Sequence, residues 1–565
     1  MSVRIPLGRA ASAPDDRSGD ARRREGVGAV NEDRNDPGEA PEPAPPPAWE
    51  IVLPEEGATE DLGRFLAAFL MPGDLVALSG GLGGGKTTLA RALIREMTGD
   101  DDLEVPSPTF TLMQPYEGRH GRAIVHADLY RLRGPDELVE LGFDEITETA
   151  VTLVEWPERL GARENPTLSI EIALRPEFGE GSRFVRIDAA GGMRERLDRA
   201  RAVRALLVRS GWDEADRVLM QGDASSRAYE RLVKPEGETA VLMIAPPRAD
   251  GPAVRDGRPY SAIVKLAESV HAFVAMDRGL RALGVSAPRI LGEDLRNGLL
   301  ILEDLGAEPV VENGAPRPER YAEAVRLLAK LHATDLPDRL PVSDGGEHVL
   351  PPYDLEALLF ETELMPDWYA ARHGATIGAQ ARAEFLTLWA DALKKLLAER
   401  TTWTLRDYHS PNLIWLPQRE GLERVGVIDF QDAVLGHPAY DVASLLQDAR
   451  VDANAEFELR LLGLYIRERR NRDPGFDMGG FARAYAVLAA QRATKILGIF
   501  ARLDKRDGKP GYLAHLPRIE GYLSRNLAHP ALEGLRRWHE AHLPSLVPPV
   551  LAPEPTPSAK DDEPA

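Results

Sequence analysis

Cysteine is absent from this sequence of 565 residues. The absence of thiols excludes disulfides, thiolate metal sites and cysteine nucleophiles, so any bound metal would be held by oxygen or imidazole ligands. Long hydrophobic runs are absent too: the longest candidates, such as FLAAFLM at 65–71, fall far short of the roughly 18 apolar residues that a membrane span needs. We therefore expect no contact with a membrane.

Basic residues are in the minority, because 69 Lys and Arg stand against 90 Asp and Glu, for a formal net charge of -21. Such a charge opposes direct binding to nucleic acid, since neutralisation of phosphates supplies most non-specific affinity. If an RNA is involved, we expect a partner to hold it. The first twenty residues lack the apolar core of a secretion signal, and their early acidic residues argue against a transit peptide. The expected location is the cytoplasm.

The two ends of the chain have the composition of disordered segments. Residues 1–48 contain no aromatic residue and end in EAPEPAPPPA, a proline-rich and charge-rich composition that buries too little apolar surface to offset the entropy of ordering. The last residues, 546–565, are similar in character. We predict a disordered leader and a disordered tail.

The sequence between these ends is too long for one hydrophobic core and predicts two domains. Residues 49–190 alternate short β-branched runs with helical patterns, which predicts an α/β domain. After the break AAGG at 189–192, residues 191–545 predict an α+β domain of two lobes. The first lobe, about 200–306, is rich in strand patterns, and the second, about 307–545, is mostly helical.

The stretch GGLGGGKTT at 80–88 fits the phosphate-binding pattern G-x-x-x-x-G-K-[ST], with an apolar strand pattern before it and a helical pattern after it. Glycines let backbone N–H groups surround a phosphate, and the start of the helix adds positive potential there. In this P-loop, Lys86 would reach the β and γ phosphates of ATP, and Thr87 would bind magnesium. The predicted nucleotide-binding residues are Gly80, Gly83, Gly85, Lys86, Thr87 and Thr88.

A P-loop ATPase also needs a carboxylate beyond the end of an apolar strand. Asp128 follows AIVHA and Glu155 follows VTLV, so two candidates are present. Either one could orient magnesium or the attacking water. The pattern leaves the assignment between them open.

Five segments in order resemble the bacterial TsaE family: GGLGGGKTTLARALIR (80–95), VPSPTFTLMQPYEG (105–118), HADLYRL (126–132), ELVELGFDE (137–145) and LVEWPERL (153–160). The resemblance implies a small ATPase that serves threonylcarbamoyladenosine synthesis in tRNA, with TsaB-like and TsaD-like proteins as partners. It also implies that Thr109 lies in a nucleotide-sensing loop and that Asp128 assists magnesium. Glu155, with Trp156, would lie at the hydrolytic site.

The stretch LRDYHSPNL at 405–413 has the spacing R-D-x-x-x-x-N of a kinase catalytic loop. In that loop the aspartate, here Asp407, accepts the proton of the substrate hydroxyl, and the asparagine, here Asn412, binds magnesium. A second magnesium ligand should follow a short apolar strand, and Asp429 in VGVIDF meets that condition. The second domain is therefore predicted to be a magnesium-dependent phosphotransferase.

Two upstream segments are candidates for contacts with ATP. QGDASSRAYERLV at 221–233 resembles a strand-loop-strand cover over the phosphates, which makes Ser225 and Arg227 candidate ligands. GLLILEDLG at 298–306 resembles the strand and hinge where adenine docks, with Glu303 at the hinge. A plain buried strand explains the second pattern equally well.

Six segments together resemble the aminoglycoside phosphotransferase superfamily: GDASSRAY (222–229), LILEDLG (300–306), LAKLHA (328–333), LRDYHSPN (405–412), VIDFQDAVLGHPAYD (427–441) and QRATKILGIFARL (491–503). More narrowly they are similar to the AmgK branch, whose members phosphorylate the anomeric hydroxyl of N-acetylmuramate and N-acetylglucosamine in cell-wall recycling. By this resemblance Asp441 braces the catalytic loop. His409 also matches, whereas Leu405 and Arg406 replace the His and Gly of many relatives.

One departure concerns the strand VLMIAPP at 241–247, where Met243 stands in place of the lysine that grips the α and β phosphates in most kinases. The loss could indicate a pseudokinase that regulates the ATPase. The retained Asp407, Asn412 and Asp429 favour an active enzyme, with Arg227 as the replacement cation. The AmgK branch is similar in lacking the lysine.

The choice of acceptor is the least determined feature. A basic stretch consists of Arg492, Lys495 and Arg502, with Lys505 and Arg506 after them. It suits a carboxylate-bearing amino sugar and opposes a polycationic aminoglycoside. A solvated basic helix face explains the same pattern. An aminoglycoside, an amino alcohol or another small-molecule hydroxyl therefore remains an alternative acceptor. The overall expectation is a fusion of an ATPase and a sugar kinase, both using ATP and Mg²⁺.

Overall fold

The computed structural model describes residues 47–132, 136–161, 165–220, 227–246, 251–399, 401–543 and 546. Most of the predicted leader and tail therefore lies outside the described residues. The chain divides into two compact units, Met1–Ala205 and Leu206–Ala565. The division falls inside the helix Gly192–Ser210, which the sequence analysis placed at the start of the second domain.

The first unit is an α/β domain, as predicted. Its strands are β1 (Trp49–Leu53), β2 (Leu75–Ser79), β3 (Met113–Glu117), β4 (Ala123–Asp128), β5 (Val151–Glu155), β6 (Leu168–Leu174) and β7 (Arg183–Ala189). Its helices are α1 (Glu56–Ala67), α2 (Lys86–Thr98), α3 (Asp136–Glu140), α4 (Phe143–Thr149) and α5 (Gly192–Ser210), of which α5 continues into the second unit.

The strands of the first unit form one mixed sheet in the order β1-β7-β6-β2-β5-β4-β3. The four strands from β6 to β4 are parallel, and the outer pairs are antiparallel. β5 is buried along its whole length and β2 along all but its last residue, which is typical of parallel strands covered on both faces. Because parallel strands end at the same edge, the segments after β2, β4 and β5 meet there.

The second unit has an α+β organisation, also as predicted. Its strands are β8 (Asp216–Met220), β9 (Ala228–Val233), β10 (Thr239–Ile244), β11 (Ala253–Arg255), β12 (Arg258–Pro259), β13 (Ile290–Asp294), β14 (Leu299–Glu303), β15 (Val311–Glu312), β16 (Ala315–Pro316), β17 (Arg339–Pro341), β18 (Glu347–Val349), β19 (Thr402–Thr404), β20 (Leu413–Trp415), β21 (Val425–Val427) and β22 (Val434–Gly436). Its helices are α6 (Tyr260–Val264), α7 (Val270–Ala282), α8 (Pro318–Ala333), α9 (Leu355–Leu364), α10 (Ala370–Arg372), α11 (Ala379–Lys394), α12 (Ala439–Leu446), α13 (Ala455–Arg472), α14 (Met478–Asp507), α15 (Leu516–Leu527) and α16 (Glu533–His542).

Antiparallel strands in the order β13-β14-β10-β9-β8 form the sheet of the first lobe. The second lobe is built around α14, a helix of 30 residues with buried positions along most of its length. Gly498 of α14 lies so close to Leu364 that an added Cβ would come within 2.4 Å of the Leu364 backbone. This close approach brings the middle of α14 against the end of α9.

The helices of the described residues include none that is long and apolar enough to span a membrane.

A buried carboxyl on α7 generates a prediction about stability. Asp277 is only 1% exposed, and burial raises its pKa from 3.8 to about 7 against the opposing charges of Arg281 and Arg278. Because the folded pKa of Asp277 lies above its unfolded value, the contribution of this group to stability is most favourable at low pH and is lost as the pH rises from about 4 through about 7. Asp277→Asn should therefore raise the free energy of unfolding by on the order of 2–4 kcal/mol at pH 8.

Thermal unfolding of both proteins between pH 4 and pH 8 tests this expectation. The midpoint of the variant should exceed that of the parent by a margin that widens with pH. A constant margin, or a variant that is less stable throughout, would contradict the assignment.

Two candidate phosphate-handling sites

The P-loop follows β2 at the edge where the parallel strands end. Gly80 has a φ of 135°, and an added Cβ would lie 2.1 Å from the carbonyl oxygen of Ile172, so only glycine fits. Gly83 and Gly85 also have positive φ values, and α2 begins directly after Gly85. The loop thus has the conformation that exposes backbone N–H groups at the start of a helix.

Lys86 lies inside this loop and is 5% exposed. Its ammonium donates to the carbonyl oxygens of Gly80 (2.7 Å) and Gly81 (3.0 Å), and it lies 4.1 Å from the centre of the Trp156 ring. Trp156 itself has a left-handed backbone, with φ 63°, directly after β5. The cation is therefore held at the loop by carbonyl dipoles and an aromatic face.

Glu155 connects the P-loop with the end of β4. Its carboxylate accepts from the hydroxyl of Thr87 at 2.9 and 3.1 Å, and its Oε1 lies 3.0 Å from Nε2 of His126. Asp128, opposite Glu155 in the β4–β5 register, accepts from the backbone N–H of Tyr130 at 3.0 Å. It also accepts from the hydroxyl of Ser107. The structure thus brings Glu155, rather than Asp128, onto the threonine predicted to bind magnesium.

Two further predicted residues lie at the margin of this site. The hydroxyl of Thr88 donates to Glu56 Oε1 at 3.4 Å. Thr109 is exposed between α2 and β3, and within the described residues no hydrogen bond links it to the P-loop. His126 and Ser107 were missed by the sequence analysis, although a histidine inside the apolar strand AIVHAD is a signal that could have been used.

The catalytic-loop segment of the second unit is fixed by one buried carboxylate. Asp441 is fully buried and accepts from the backbone N–H of Leu405 (2.7 Å) and of Arg406 (2.9 Å). The hydroxyl of Ser444 donates to the carbonyl of Arg406 at 3.1 Å. These contacts hold Arg406 in a left-handed conformation, with φ 67°, immediately before Asp407.

The three predicted chemical residues of this unit converge. The side-chain amide of Asn412 donates to the backbone carbonyl of Asp407 at 3.0 Å and lies 3.4 Å from Oδ2 of Asp429. Asp429 accepts from Gln431 Nε2 at 2.8 Å and also has a left-handed backbone, with φ 59°. The amide nitrogen of Asn412 therefore links the backbone of Asp407 with the carboxylate of Asp429, and the three residues meet at one place.

The charges around the two aspartates differ. Desolvation raises the pKa of Asp407, but His409, Lys495 and Arg492 outweigh it and hold the pKa below its usual range. Burial raises the pKa of Asp429, and the nearby Asp407 adds to the rise. Asp407 is accordingly an anion at neutral pH, as a hydrogen-bond acceptor for a hydroxyl must be.

The two structural units match two different protein families. Residues 53–183 match the family model described as threonylcarbamoyl adenosine biosynthesis protein TsaE, and residues 217–475 match the phosphotransferase enzyme family. A protein of Rickettsia felis named tRNA threonylcarbamoyladenosine biosynthesis protein TsaE is 40% identical over 124 residues, which is 22% of this chain and 71% of that protein.

The second unit is similar to proteins named N-acetylmuramate/N-acetylglucosamine kinase. The protein of Caulobacter vibrioides is 39% identical over 359 residues, covering 61% of this chain and 97% of that protein. The protein of Pseudomonas aeruginosa is 33% identical over 336 residues, covering 57% of this chain and 88% of that protein. The chain belongs to both families, TsaE and phosphotransferase. The predicted fusion of a TsaE-family unit with a phosphotransferase-family unit is confirmed.

The position of the missing lysine in the phosphotransferase unit is buried. Met243 lies on β10 between Tyr229 of β9 and Leu300 of β14 and is 1% exposed. It lines a cavity of about 360 Å³ together with Arg227 and Gln431. The guanidinium of Arg227 is 3.7 Å from Oδ1 of Asp429. The structure therefore places a cation beside the predicted magnesium ligand, on the cavity that Met243 lines.

Ser225 and Glu303 are the two other candidate ATP ligands of the phosphotransferase unit. Ser225 lies outside the described residues. The carboxylate of Glu303, at the end of β14, accepts from the backbone N–H of Arg289 (3.1 Å) and from Arg419 Nη2 (2.8 Å). Its side chain is thus engaged within the protein, and a hinge contact to adenine stays a prediction for its backbone.

A buried carboxylate that the sequence analysis missed connects α9 with the catalytic loop. Glu361 is fully buried, and its Oε1 accepts from Arg406 Nη2 (2.8 Å) and from Lys495 Nζ (2.7 Å). Its Oε2 accepts from Gln491 Nε2 at 3.2 Å. Glu361 lies in ALLFETELM, which reads as an apolar core helix, and the charged residue inside that run was the available signal.

The brace on the catalytic loop generates a prediction. In Asp441→Asn one amide oxygen remains to accept, and the NH₂ group would face a backbone N–H, so one buried donor loses its partner. Amide exchange in a peptide spanning 403–409 should become about 10- to 100-fold faster, because a buried hydrogen bond to a charged group is lost.

Hydrogen exchange measured by mass spectrometry checks this, with Asp452→Asn as the matched control. Asp452 is largely exposed and pairs with Arg518 at a distance in sequence from the loop. Unchanged exchange at 403–409 in Asp441→Asn would show that the loop does not depend on this carboxylate.

Proposed function

We propose that the TsaE unit is the ATPase subunit of a complex that synthesises threonylcarbamoyladenosine in tRNA. We further propose that the phosphotransferase unit is an ATP-dependent kinase of the anomeric hydroxyl of N-acetylmuramate and N-acetylglucosamine in cell-wall recycling. The convergence of Asp407, Asn412 and Asp429 carries the second proposal, together with the names of the relatives. The tRNA of the first proposal and the amino sugars of the second would both be met in the cytoplasm. We therefore propose that the protein acts there.

In the proposed kinase reaction the ionised carboxylate of Asp407 accepts the proton of the sugar hydroxyl. The oxygen of that hydroxyl then forms a bond to the γ phosphorus of ATP, the bond from that phosphorus to the β,γ-bridging oxygen breaks, and ADP leaves. The products are a sugar phosphate, ADP and one proton. The contribution of the protein is to position Asp407, which Asp441 achieves through the backbone of Leu405 and Arg406.

The donor set of the phosphotransferase unit fits magnesium. Asp429 would supply a carboxylate oxygen and the adjacent Asn412 its amide oxygen, and burial beside other carboxylates raises the pKa of Asp429, a condition that a divalent cation would relieve. When bound, magnesium would neutralise charge on the phosphates of ATP. In the TsaE unit the corresponding ligand is Thr87, with Glu155 in contact with its hydroxyl.

Arg227 is the proposed substitute for the lysine replaced by Met243. Its distance of 3.7 Å from Asp429 supports a position beside the phosphates, and it lines the same cavity as Met243. A guanidinium presents several donors in one plane and suits phosphate oxygens as well as an ammonium does.

For the TsaE unit we propose that ATP hydrolysis drives a conformational cycle with TsaB-like and TsaD-like partners. Lys86 would exchange its contacts with the carbonyls of Gly80 and Gly81 for the phosphates of ATP. The net charge of -21 supports a role in which a partner, not this chain, binds the tRNA.

Separate loss of the two activities tests the proposal. Whole protein, Lys86→Ala and Asp407→Ala are incubated with magnesium-ATP and N-acetylmuramate, N-acetylglucosamine or kanamycin, and phosphorylated product is measured. Parent and Lys86→Ala should phosphorylate both N-acetyl sugars and not kanamycin. Asp407→Ala should be slower by about 100-fold or more, since its general base is removed.

Asp391→Ala serves as the matched control, because that carboxylate is exposed on α11. Release of phosphate in the presence of TsaB-like and TsaD-like proteins should be lost in Lys86→Ala and retained in Asp407→Ala. If the parent phosphorylates no acceptor, the pseudokinase alternative suggested by Met243 replaces the kinase proposal. If only kanamycin is phosphorylated, the acceptor class is wrong.

A further inference from the structure

The first basic residues of the stretch on α14 are buried, so this part of the stretch is not a solvated helix face. Arg492 is 7% exposed, and the side chain of Lys495 is 14% exposed. The exposed part of the stretch comes later, at Lys505 and Arg506. Two cations on successive turns of one helix are therefore withdrawn from water.

The two buried cations differ in their partners. Lys495 forms an ion pair of 2.7 Å with Glu361, which also accepts from Arg406. Among the described residues, no hydrogen bond or ion pair reaches the guanidinium of Arg492. Glu361 is thus shared by two cations, whereas Arg492 has no ion-pair partner among the described residues. A buried guanidinium in this state favours an anionic ligand.

Arg492 lies near the catalytic loop, because it lines a recess with Ala443 of α12, the helix whose Asp441 holds that loop. It is among the main charges that act on Asp407 and on His409. The cation nearest to Asp429, the predicted magnesium ligand, is instead Arg227. The site therefore has one arginine beside the predicted magnesium ligand and a second arginine whose charge acts on Asp407.

The surroundings of Arg492 strengthen an ionic contact. The residues that line the adjoining recess are mostly apolar: Ala443, Ala489, Ala493, Ile496, Ile519 and Tyr522, with Gln447 as the polar exception. In such surroundings charges attract more strongly than in water, and an arginine can contact both oxygens of a carboxylate at once.

We propose that Arg492 binds the carboxylate of N-acetylmuramate, a group that N-acetylglucosamine lacks, and thereby sets the preference between the two acceptors. The inference rests on the proposed kinase function and deepens it. A positive charge at this place also disfavours polycationic acceptors. Arg492 is a specificity-determining residue in this account, and the proton transfer remains with Asp407.

Steady-state kinetics of the whole protein with each sugar test the assignment. Arg492→Gln should lower kcat/KM for N-acetylmuramate by about 10- to 100-fold, as expected for a charge-assisted hydrogen-bonded pair, and for N-acetylglucosamine by no more than about fivefold. Arg492→Lys keeps the charge without the planar fork and should recover part of the preference.

Arg483→Gln is the matched control on the same helix, because Arg483 pairs with Glu399 at 3.0 Å and is 43% exposed. It should leave the ratio of the two kcat/KM values unchanged. An equal loss for both sugars in Arg492→Gln and Arg492→Lys would overturn the proposal and assign Arg492 to the phosphates of ATP or to folding. No loss for either sugar would overturn it as well.

The activity of the unmodified protein on each sugar distinguishes failure of the role of Arg492 from failure of the proposed kinase function. Activity on neither sugar would mean that the kinase proposal itself has failed. Activity on N-acetylglucosamine alone would leave the kinase activity standing and overturn the role of Arg492.

Discussion

Both sites depend on backbone held in a conformation that side chains disfavour. Trp156 after β5, Arg406 before the catalytic aspartate and Asp429 after β21 all have left-handed φ values although none is glycine. Such residues cost about 1–3 kcal/mol each and persist only where the surroundings fix them. In the phosphotransferase unit the backbone of Arg406 is fixed by two contacts. The Asp441 carboxylate accepts from the N–H groups of Leu405 and Arg406, and the Ser444 hydroxyl donates to the carbonyl of Arg406. The geometry of the catalytic loop is thus fixed by contacts within the protein.

Buried charge is the second constraint on the phosphotransferase unit. Glu361 holds Arg406 and Lys495 together, so the catalytic loop, α9 and α14 are joined by ion pairs inside the protein. Removing one partner of such a cluster leaves an uncompensated buried charge, which destabilises strongly. The same ion pairs therefore contribute to the stability of this lobe and fix the backbone next to Asp407.

The features that could be predicted from the sequence are motifs whose functional residues lie within a few positions of one another. The P-loop from Gly80 to Thr87 and the pair Asp407 and Asn412 are contiguous motifs, and the structure places them on the expected turns. Glu361 could not be predicted in this way, because its partners lie 45 and 134 residues away and only packing of α9 on the catalytic loop and on α14 brings them together. The basic pattern of α14 was ambiguous for the same reason: periodicity gives a face, while burial depends on what packs against it.

The central claim is that one chain contains two independent sites for ATP. Calorimetric titration of the whole protein with magnesium and a non-hydrolysable ATP analogue tests it most directly. The account predicts two analogue molecules bound per chain in the parent, and one in either Lys86→Ala or Asp429→Ala. A single molecule bound by the parent, or a stoichiometry that neither substitution lowers, would contradict it.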